Sequence, residues 1–119
     1  MAGIRIQRVR EMLKRTLSEI IRRDYPPGDL GLITVNDIDV AKDLTLATVY
    51  VGVVGSEAQQ KAALNRLGND RKHIQSDMAR RIILKNTPVL RFRIDDSVER
   101  GNRVIDILEE LDQQDAAEA

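Results

Sequence analysis

Apolar positions recur every three or four residues near the start of the chain and predict a first helix over about residues 5–23. The stripe comprises Ile6, Val9, Met12, Leu13, Leu17, Ile20 and Ile21. The segment Tyr25-Pro26-Pro27-Gly28 follows it. Because a proline disfavours helical geometry in the residue before it, the helix is expected to end there.

Two stretches of alternating apolar and polar residues then predict two strands. The first covers residues 32–40, and its apolar positions change parity halfway along, which predicts a bulge near Asn36 and Asp37. The second covers residues 47–53 after a short polar turn. The short link predicts an antiparallel hairpin.

Two helical runs and a third strand complete the pattern. Ser56 with Gln59 has the spacing of a capping box, and Gly68-Asn69-Asp70 interrupts the helical periodicity, with the second run extending to about Leu84. The glycine suits a helix C-terminus, so the pair is expected to be kinked at these three residues. Residues 89–95 alternate as a strand with one buried face, and a last helix is predicted from about Ser97.

This order predicts an α+β domain of two layers, with three strands and helices stacked on one face. The αββααβ order matches the bacterial type (type II) of KH module, which binds single-stranded nucleic acid. Residues 1–104 are expected to form this domain, and residues 105–119 the acidic end of the C-terminal helix and a frayed tail.

Composition supports a packed domain that needs no covalent cross-links. The chain has 119 residues, of which 42% are hydrophobic and 3% aromatic, and it has no cysteine. Disulfides, cysteine-ligated zinc and thiol catalysis are therefore excluded. No apolar run approaches the roughly 18 residues of a spanning helix, so a cytoplasmic protein away from membranes is expected.

The formal net charge of zero conceals a strong asymmetry. Residues 105–119 carry six acids and no base, which leaves 19 bases against 13 acids in the preceding 104 residues. A basic body followed by an acidic end suggests a nucleic-acid partner, and the acidic end is either a solubilising tail or a regulatory one.

The basic residues fall on predicted exposed faces. On a helical wheel Arg8, Arg15 and Arg22 lie within about 40° of each other, opposite the apolar stripe. Such residues can simply solvate a helix, but few acids balance them on the same faces, which favours phosphate binding. The candidate RNA-binding residues are Arg8, Arg15, Arg22, Arg71, Lys72, Arg80, Arg81, Arg91 and Arg93.

Two G-x-x-G spacings, at Gly28–Gly31 and Gly52–Gly55, invite comparison with the nucleic-acid-clamping loop of KH modules. That loop lies between two helices, whereas these spacings flank predicted strands. Turn geometry is the preferred interpretation. The few aromatic residues also argue against a stacking platform for bases.

A set of motifs, taken in order, closely resembles bacterial ribosome-binding factor A over about residues 5–108. The motifs are Leu30-Gly31-Leu32-Ile33-Thr34-Val35-Asn36-Asp37-Ile38-Asp39-Val40, Asp43-Leu44, Ala47-Thr48-Val49-Tyr50-Val51, Thr87-Pro88-Val89-Leu90-Arg91-Phe92 and Ser97-Val98-Glu99-Arg100-Gly101-Asn102-Arg103. In this family an Ala-x-Gly kink replaces the KH glycine loop. Counted back from Thr87-Pro88, it would fall on Asp70-Arg71-Lys72, which does not match. Here Gly68-Asn69-Asp70 indicates the break instead.

The resemblance implies a KH-like assembly factor that has no catalytic activity and needs no metal or cofactor. Such proteins bind the immature small ribosomal subunit, assist late processing and folding of 16S rRNA and its precursor, matter most in the cold and leave before translation. Other assembly factors are expected as partners on the subunit, and the protein itself as a monomer.

Two other classes of function compete with this interpretation. An enzyme would have to use His73, the only histidine, or carboxylates such as Asp95 and Asp96, which diverge along a strand. A small regulatory or ligand-binding α+β module would need a shaped apolar pocket with polar anchors, and no sequence feature marks one.

Overall fold

A computed structural model describes the backbone of residues 2–95 and the side chains from residue 5 onward. The elements are α1 (Ala2–Asp24), β1 (Leu32–Val40), β2 (Leu46–Val54), α2 (Glu57–Asn69), α3 (Arg71–Arg81) and β3 (Val89–Ile94). This is the predicted αββααβ order of a two-layer α+β domain. The C-terminal helix predicted from Ser97 lies outside the described residues.

The three strands form one sheet in the order β1-β2-β3. β1 pairs with β2 as the predicted antiparallel hairpin, and the register shifts between Val35 and Asp37, which confirms the bulge. β3 pairs with β2 in parallel. The bulge lets Ile33 and Val35 before it, and Ile38 and Val40 after it, all face the core.

The core lies between the sheet and the three helices. It comprises Val9, Leu13, Leu17, Ile20, Ile21, Ile33, Val35, Ile38, Val40, Ala47, Val49, Val51, Ala63, Leu67, Ile74, Met78, Ile82 and Leu90. All are aliphatic or methionine, in keeping with the low aromatic content. Met12, expected on the apolar stripe of α1, lies at its edge and remains 45% exposed.

The helix pair differs from its prediction at two points. Gly68 lies inside α2, has no positive φ, and does not act as a left-handed C-terminal cap. α3 ends at Arg81, three residues before the predicted Leu84, because Ile82 adopts an extended conformation (φ −118°, ψ 123°) that packs its side chain into the core. The predicted capping box of Ser56 and Gln59 is present.

The two G-x-x-G spacings have different structural roles. Gly28 and Gly31 close a tight turn, in which Gly31 has φ +75° and its N–H donates to the Gly28 carbonyl over 2.8 Å. Gly52, in contrast, lies inside β2, so the turn interpretation is wrong for this residue, whereas Gly55 lies in the bend between β2 and α2. A Cβ on Gly52 would lie 2.7 Å from Nδ2 of Asn36. This amide crosses the central strand and donates to Oδ2 of Asp95 over 2.8 Å.

Candidate nucleic-acid interface

Helices α1 and α3 lie side by side, and a buried carboxylate joins them. Asp77 on α3 is 7% exposed and accepts a hydrogen bond from Arg23 of α1 over 2.5 Å. One turn further along α3, Arg81 forms an ion pair with Glu19, which lies one turn earlier on α1. Later residues of α3 therefore contact earlier residues of α1, and the two helices run antiparallel.

Asp77 also interacts with two arginines of its own helix. Arg81 donates to Oδ1 of Asp77 over 3.3 Å, and Arg80 approaches the same oxygen at 3.8 Å. The hydrogen bond from Arg23 is the main reason that the pKa of Asp77 lies below its ordinary value, and the charges of Arg23 and Arg81 act in the same direction. This carboxylate is thus held ionised among three guanidinium groups.

Two of the predicted RNA-binding residues therefore have intramolecular partners. Arg81, with its side chain 33% exposed, is shared between Asp77 and Glu19. Arg80 is 71% exposed and its contact with Asp77 is long, so its guanidinium group is still largely presented to solvent.

The three arginines predicted on the face of α1 opposite the apolar stripe are accessible to solvent. Arg8, Arg15 and Arg22 are all exposed. Within residues 5–95, ion pairs to carboxylates engage Arg23, Arg66, Arg80 and Arg81, and none involves these three. Arg71 and Lys72 at the start of α3 are likewise exposed and take no part in these ion pairs. These five exposed side chains, on α1 and at the start of α3, are together called the cationic surface.

The junction between α2 and α3 has its own hydrogen-bond network. Asp70 is both the C-cap residue of α2 and the N-cap residue of α3. Its carboxylate accepts hydrogen bonds from the Tyr25 hydroxyl (2.5 Å) and from Arg66 (3.0 Å). These bonds, the one from Tyr25 above all, lower the pKa of Asp70. Burial and the same bond raise the pKa of Tyr25. The break between the two helices falls at Asp70, within the predicted segment Gly68-Asn69-Asp70. Tyr25, which directly follows α1, holds this junction through its hydrogen bond to Asp70.

Because the Asp70 side chain is used in this way, it makes no hydrogen bond to the start of α3. The first turn of α3 contains no acid and carries the exposed Arg71 and Lys72. Unsatisfied backbone N–H groups and the helix dipole favour an anion at such a terminus.

Arg91 and Arg93 lie on a different face of the molecule. They alternate along β3 with Leu90, which is completely buried under the helices. Since successive side chains of a strand point to opposite faces, both arginines project from the side of the sheet that the helices leave open. In the parallel pairing, Arg91 is opposite Thr48 of β2 and Arg93 is opposite Tyr50. The nine predicted residues therefore do not form one surface.

Sequence reasoning missed the residues that organise this region, namely Arg23, Tyr25 and Asp77. For Asp77 a signal existed, because it lies three residues after Ile74 and next to Met78, on the apolar face of the helix. An acid on such a face requires an internal partner. No local pattern indicates that Tyr25 bonds to a residue 45 positions away.

A groove of about 580 Å³ runs between α1 and the segment that follows α3. Arg8, Arg15 and Arg81 flank it, with Glu11 as its one acidic lining residue. Its apolar surface includes Met12 and Ile83, of which Ile83 is 99% exposed.

No cluster of three or more histidine, cysteine, aspartate or glutamate side chains suited to a metal ion occurs in the described part of the chain. None of the helices within residues 2–95 combines the length and apolar character needed to cross a bilayer.

Comparison with known proteins identifies the family. The family model described as ribosome-binding factor A matches residues 5–108. The chain belongs to the ribosome-binding factor A family. The resemblance inferred from the sequence motifs is thereby confirmed over the range in which they occur.

Curated ribosome-binding factor A proteins are similar along nearly their whole length. The protein of Macrococcus caseolyticus is 38% identical over 109 residues, which cover 92% of this chain and 96% of the relative. That of Desulforamulus reducens is 33% identical over 112 residues, covering 94% and 93%.

Solved structures of ribosome-binding factor A share the fold. The crystal structure of the Thermus thermophilus protein has a TM-score of 0.66 at 29% identity, covering 75% of this chain and 94% of that one. The solution structure of a putative ribosome-binding factor A from Thermotoga maritima has a TM-score of 0.67 at 22% identity, covering 77% and 88%, and supports the fold alone. The KH-like architecture expected from the element order is confirmed.

A third similar structure is a homology model of the Thermus thermophilus ribosome-binding factor A, fitted into a cryo-EM map of its complex with the 30S subunit. It has a TM-score of 0.60 at 32% identity and covers 69% of this chain and 86% of that one.

Proposed function

We propose that the protein is a non-catalytic assembly factor that binds the immature small ribosomal subunit in the cytoplasm, assists late maturation of 16S rRNA and is released before translation. The observation that carries this proposal is the cationic surface of Arg8, Arg15, Arg22, Arg71 and Lys72, which has no ion pairs to described carboxylates. The 30S complex of the Thermus thermophilus relative supports the choice of partner.

The chemistry of this surface suits an RNA backbone better than individual bases. Its five side chains are all cationic, and each phosphate that they neutralise would release condensed counterions. Arg71 and Lys72 flank the uncapped start of α3, where backbone N–H groups add donors for phosphate oxygens. Tyr25 is bonded to Asp70 rather than offered to a base.

Arg80 is proposed to extend the RNA-binding surface, whereas Arg81 is proposed to hold α3 in position. Lys72, Ser76 and Arg80 lie along one side of α3, and Arg80 is exposed, so it can extend the surface along the helix. Arg81 holds α3 against α1 through Asp77 and Glu19. Arg91 and Arg93 would contact RNA only if a second segment of the RNA passes over the face of the sheet that the helices leave open.

The test is co-sedimentation of the full chain with immature small subunits across a salt series. Arg8→Ala/Arg15→Ala should weaken binding at low salt and make the dependence on salt less steep, by roughly 0.7 to 0.9 in log–log slope for each phosphate that is no longer neutralised. Arg10→Ala/Lys14→Ala is the matched control, since it removes the same charge from another edge of α1, where both residues are also exposed.

Equal losses from the two double variants would show that net charge alone determines binding and would contradict the proposed surface. The melting temperature of each variant should stay close to that of the unmodified protein, because all four side chains are exposed and form no ion pairs with described carboxylates.

A further inference from the structure

We propose that the groove between α1 and the segment following α3 binds the acidic C-terminal segment of the same chain, residues 104–112. The groove offers two kinds of surface at once. Arg8 and Arg15, which form no ion pairs with described carboxylates, supply positive charge along its sides, and Met12 and Ile83 supply exposed apolar surface.

The exposed apolar surface of the groove lies mainly at Ile83. Ile83 is 99% exposed, although the preceding Ile82 is buried in the core at 8%. Ile83 and the partly exposed Met12 line the same groove as Arg8 and Arg15, and this combination is suited to a partner that is both apolar and acidic.

Residues 104–112 have this combination of properties. Val104, Leu108 and Leu111 recur at spacings of four and three, and Asp106, Glu109, Glu110 and Asp112 lie between and beside them. If they form a helix, the apolar residues share one face and the acids flank it. The segment has no base, whereas the groove has Glu11 as its one acid.

The chain is long enough to make the connection. The groove borders the segment that leads into β3, and the six residues of β3 carry the chain about 20 Å away from it. The residues from 96 to 104 can span about 30 Å when extended. A return to the groove therefore requires no rearrangement of the described fold.

Docking would cover Arg8 and Arg15, two residues of the proposed RNA-binding surface. The acidic segment would then compete with RNA phosphates for these side chains and favour RNA that offers additional contacts. The docking itself does not depend on the proposed function, whereas this competition rests on it.

Disulfide trapping in the full chain tests the docking directly, because the natural sequence contains no cysteine. Ile83→Cys/Leu111→Cys should form an intramolecular disulfide under mild oxidation. Val54→Cys/Leu111→Cys is the control, since Val54 is 70% exposed and lies three residues beyond Val51, whose carbonyl accepts the Asp95 N–H. Random collisions would favour Val54, which is close to where the described chain ends.

A several-fold higher intramolecular yield for the Ile83 pair is the expected result, and Glu109→Gln/Glu110→Gln should reduce it. Equal yields, or a higher yield for the Val54 pair, would overturn the proposal. A product that is mainly an intermolecular dimer would also overturn it, by showing that a second copy occupies the groove.

The competition is tested separately with arbitrary single-stranded RNA at low salt. Glu109→Gln/Glu110→Gln should raise affinity several-fold in the unmodified background and leave it unchanged in Arg8→Ala/Arg15→Ala. If the disulfide forms but affinity does not change, the docking stands and the groove is not where RNA binds. If no disulfide forms while Arg8→Ala/Arg15→Ala still weakens subunit binding, the docking fails and the proposed function stands.

Discussion

The hydroxyl of Tyr25 donates a hydrogen bond of 2.5 Å to Oδ2 of Asp70, and this bond joins the end of α1 to the junction between α2 and α3. Asp70 also pairs with Arg66 one turn earlier on α2. The angle between α2 and α3 is thus coupled to the position of α1. Since Arg71 and Lys72 follow Asp70 directly, the same bond positions cations at the start of α3.

Tyr25→Phe removes this bond without removing the ring. We expect the free energy of unfolding to fall by about 1 kcal/mol, since the acceptor is charged but partly solvated. Urea denaturation measures the change. In a double-mutant cycle, Tyr25→Phe should have little further effect in an Asp70→Ala background, because alanine offers no acceptor to the hydroxyl. Fully additive losses would show that the two side chains do not stabilise each other.

Asp77→Asn keeps the shape of the side chain and removes the charge that holds Arg23, Arg80 and Arg81. We expect a loss of roughly 1 to 2 kcal/mol in the free energy of unfolding at pH 7, because a buried acceptor is weakened while its arginine partners can turn to solvent. Asp39→Asn is the matched control on the exposed side of β1 and should change stability little. Similar losses for the two variants would argue against a special role for Asp77.

The same substitution should alter the dependence of stability on pH. The pKa of Asp77 in the folded protein is lowered, so its contribution is present above the unfolded pKa of about 3.9 and is lost as pH falls through the folded pKa. The stability difference between the unmodified protein and Asp77→Asn should therefore be largest near neutral pH and shrink below about pH 4. Denaturation curves from pH 3 to 7 test this. A difference that grows on acidification would contradict it.

Gly68→Ala and Gly31→Ala should have opposite effects. An added Cβ on Gly68 meets no heavy atom within 4 Å and sits in a helix, so we expect a gain of up to about 1 kcal/mol. Gly31 has φ +75°, and its Cβ would lie 2.5 Å from the Val54 carbonyl oxygen, so a loss of more than about 1 kcal/mol is expected. Thermal or urea unfolding of both variants provides the comparison. Destabilisation by Gly68→Ala would mean that the helical conformation at this residue is wrong.

The separation of the predicted cations onto two faces leads to a prediction about RNA. Arg71→Ala/Lys72→Ala should lower affinity for small-subunit RNA and reduce its salt dependence, while Arg91→Ala/Arg93→Ala, with the same change in charge, should have a smaller effect. The two helices and the open side of the sheet face opposite directions, so one straight RNA segment cannot contact both. Equal effects of the two variants would indicate that RNA passes around the edge of the sheet.

Local patterns are sufficient to predict most of the fold. The bulge in β1 follows from a change of parity, and the start of α2 from the Ser56 capping box, because both depend on residues close together in sequence. The predicted end of α3 is wrong because Ile82 continues the apolar periodicity of the helix while its backbone is already extended. Periodicity reports which side chains are buried and does not report the conformation in which they are buried.

The site is predictable in composition and less so in arrangement. The exposure of Arg8, Arg15 and Arg22 can be predicted from the helical wheel, because it depends only on their positions relative to the apolar stripe of the same helix. The engagement of Arg81 with Glu19, and of Arg23 with Asp77, depends on how α1 packs beside α3. Contacts between residues more than fifty positions apart leave no local signal, so the sequence does not distinguish Arg81 from cations that have no such partner.

The parallel pairing of β3 with β2 has a consequence for the order in which the domain can assemble. β1 and β2 are adjacent in sequence and can pair as soon as both have been synthesised. Ala47, in contrast, is opposite Leu90, so the third strand can join only after α2 and α3 have been made. Contacts of large sequence separation slow folding, because loop closure comes before the gain from pairing. During synthesis, the edge of β2 that pairs with β3 therefore stays unpaired until residues 89–94 have emerged from the ribosome.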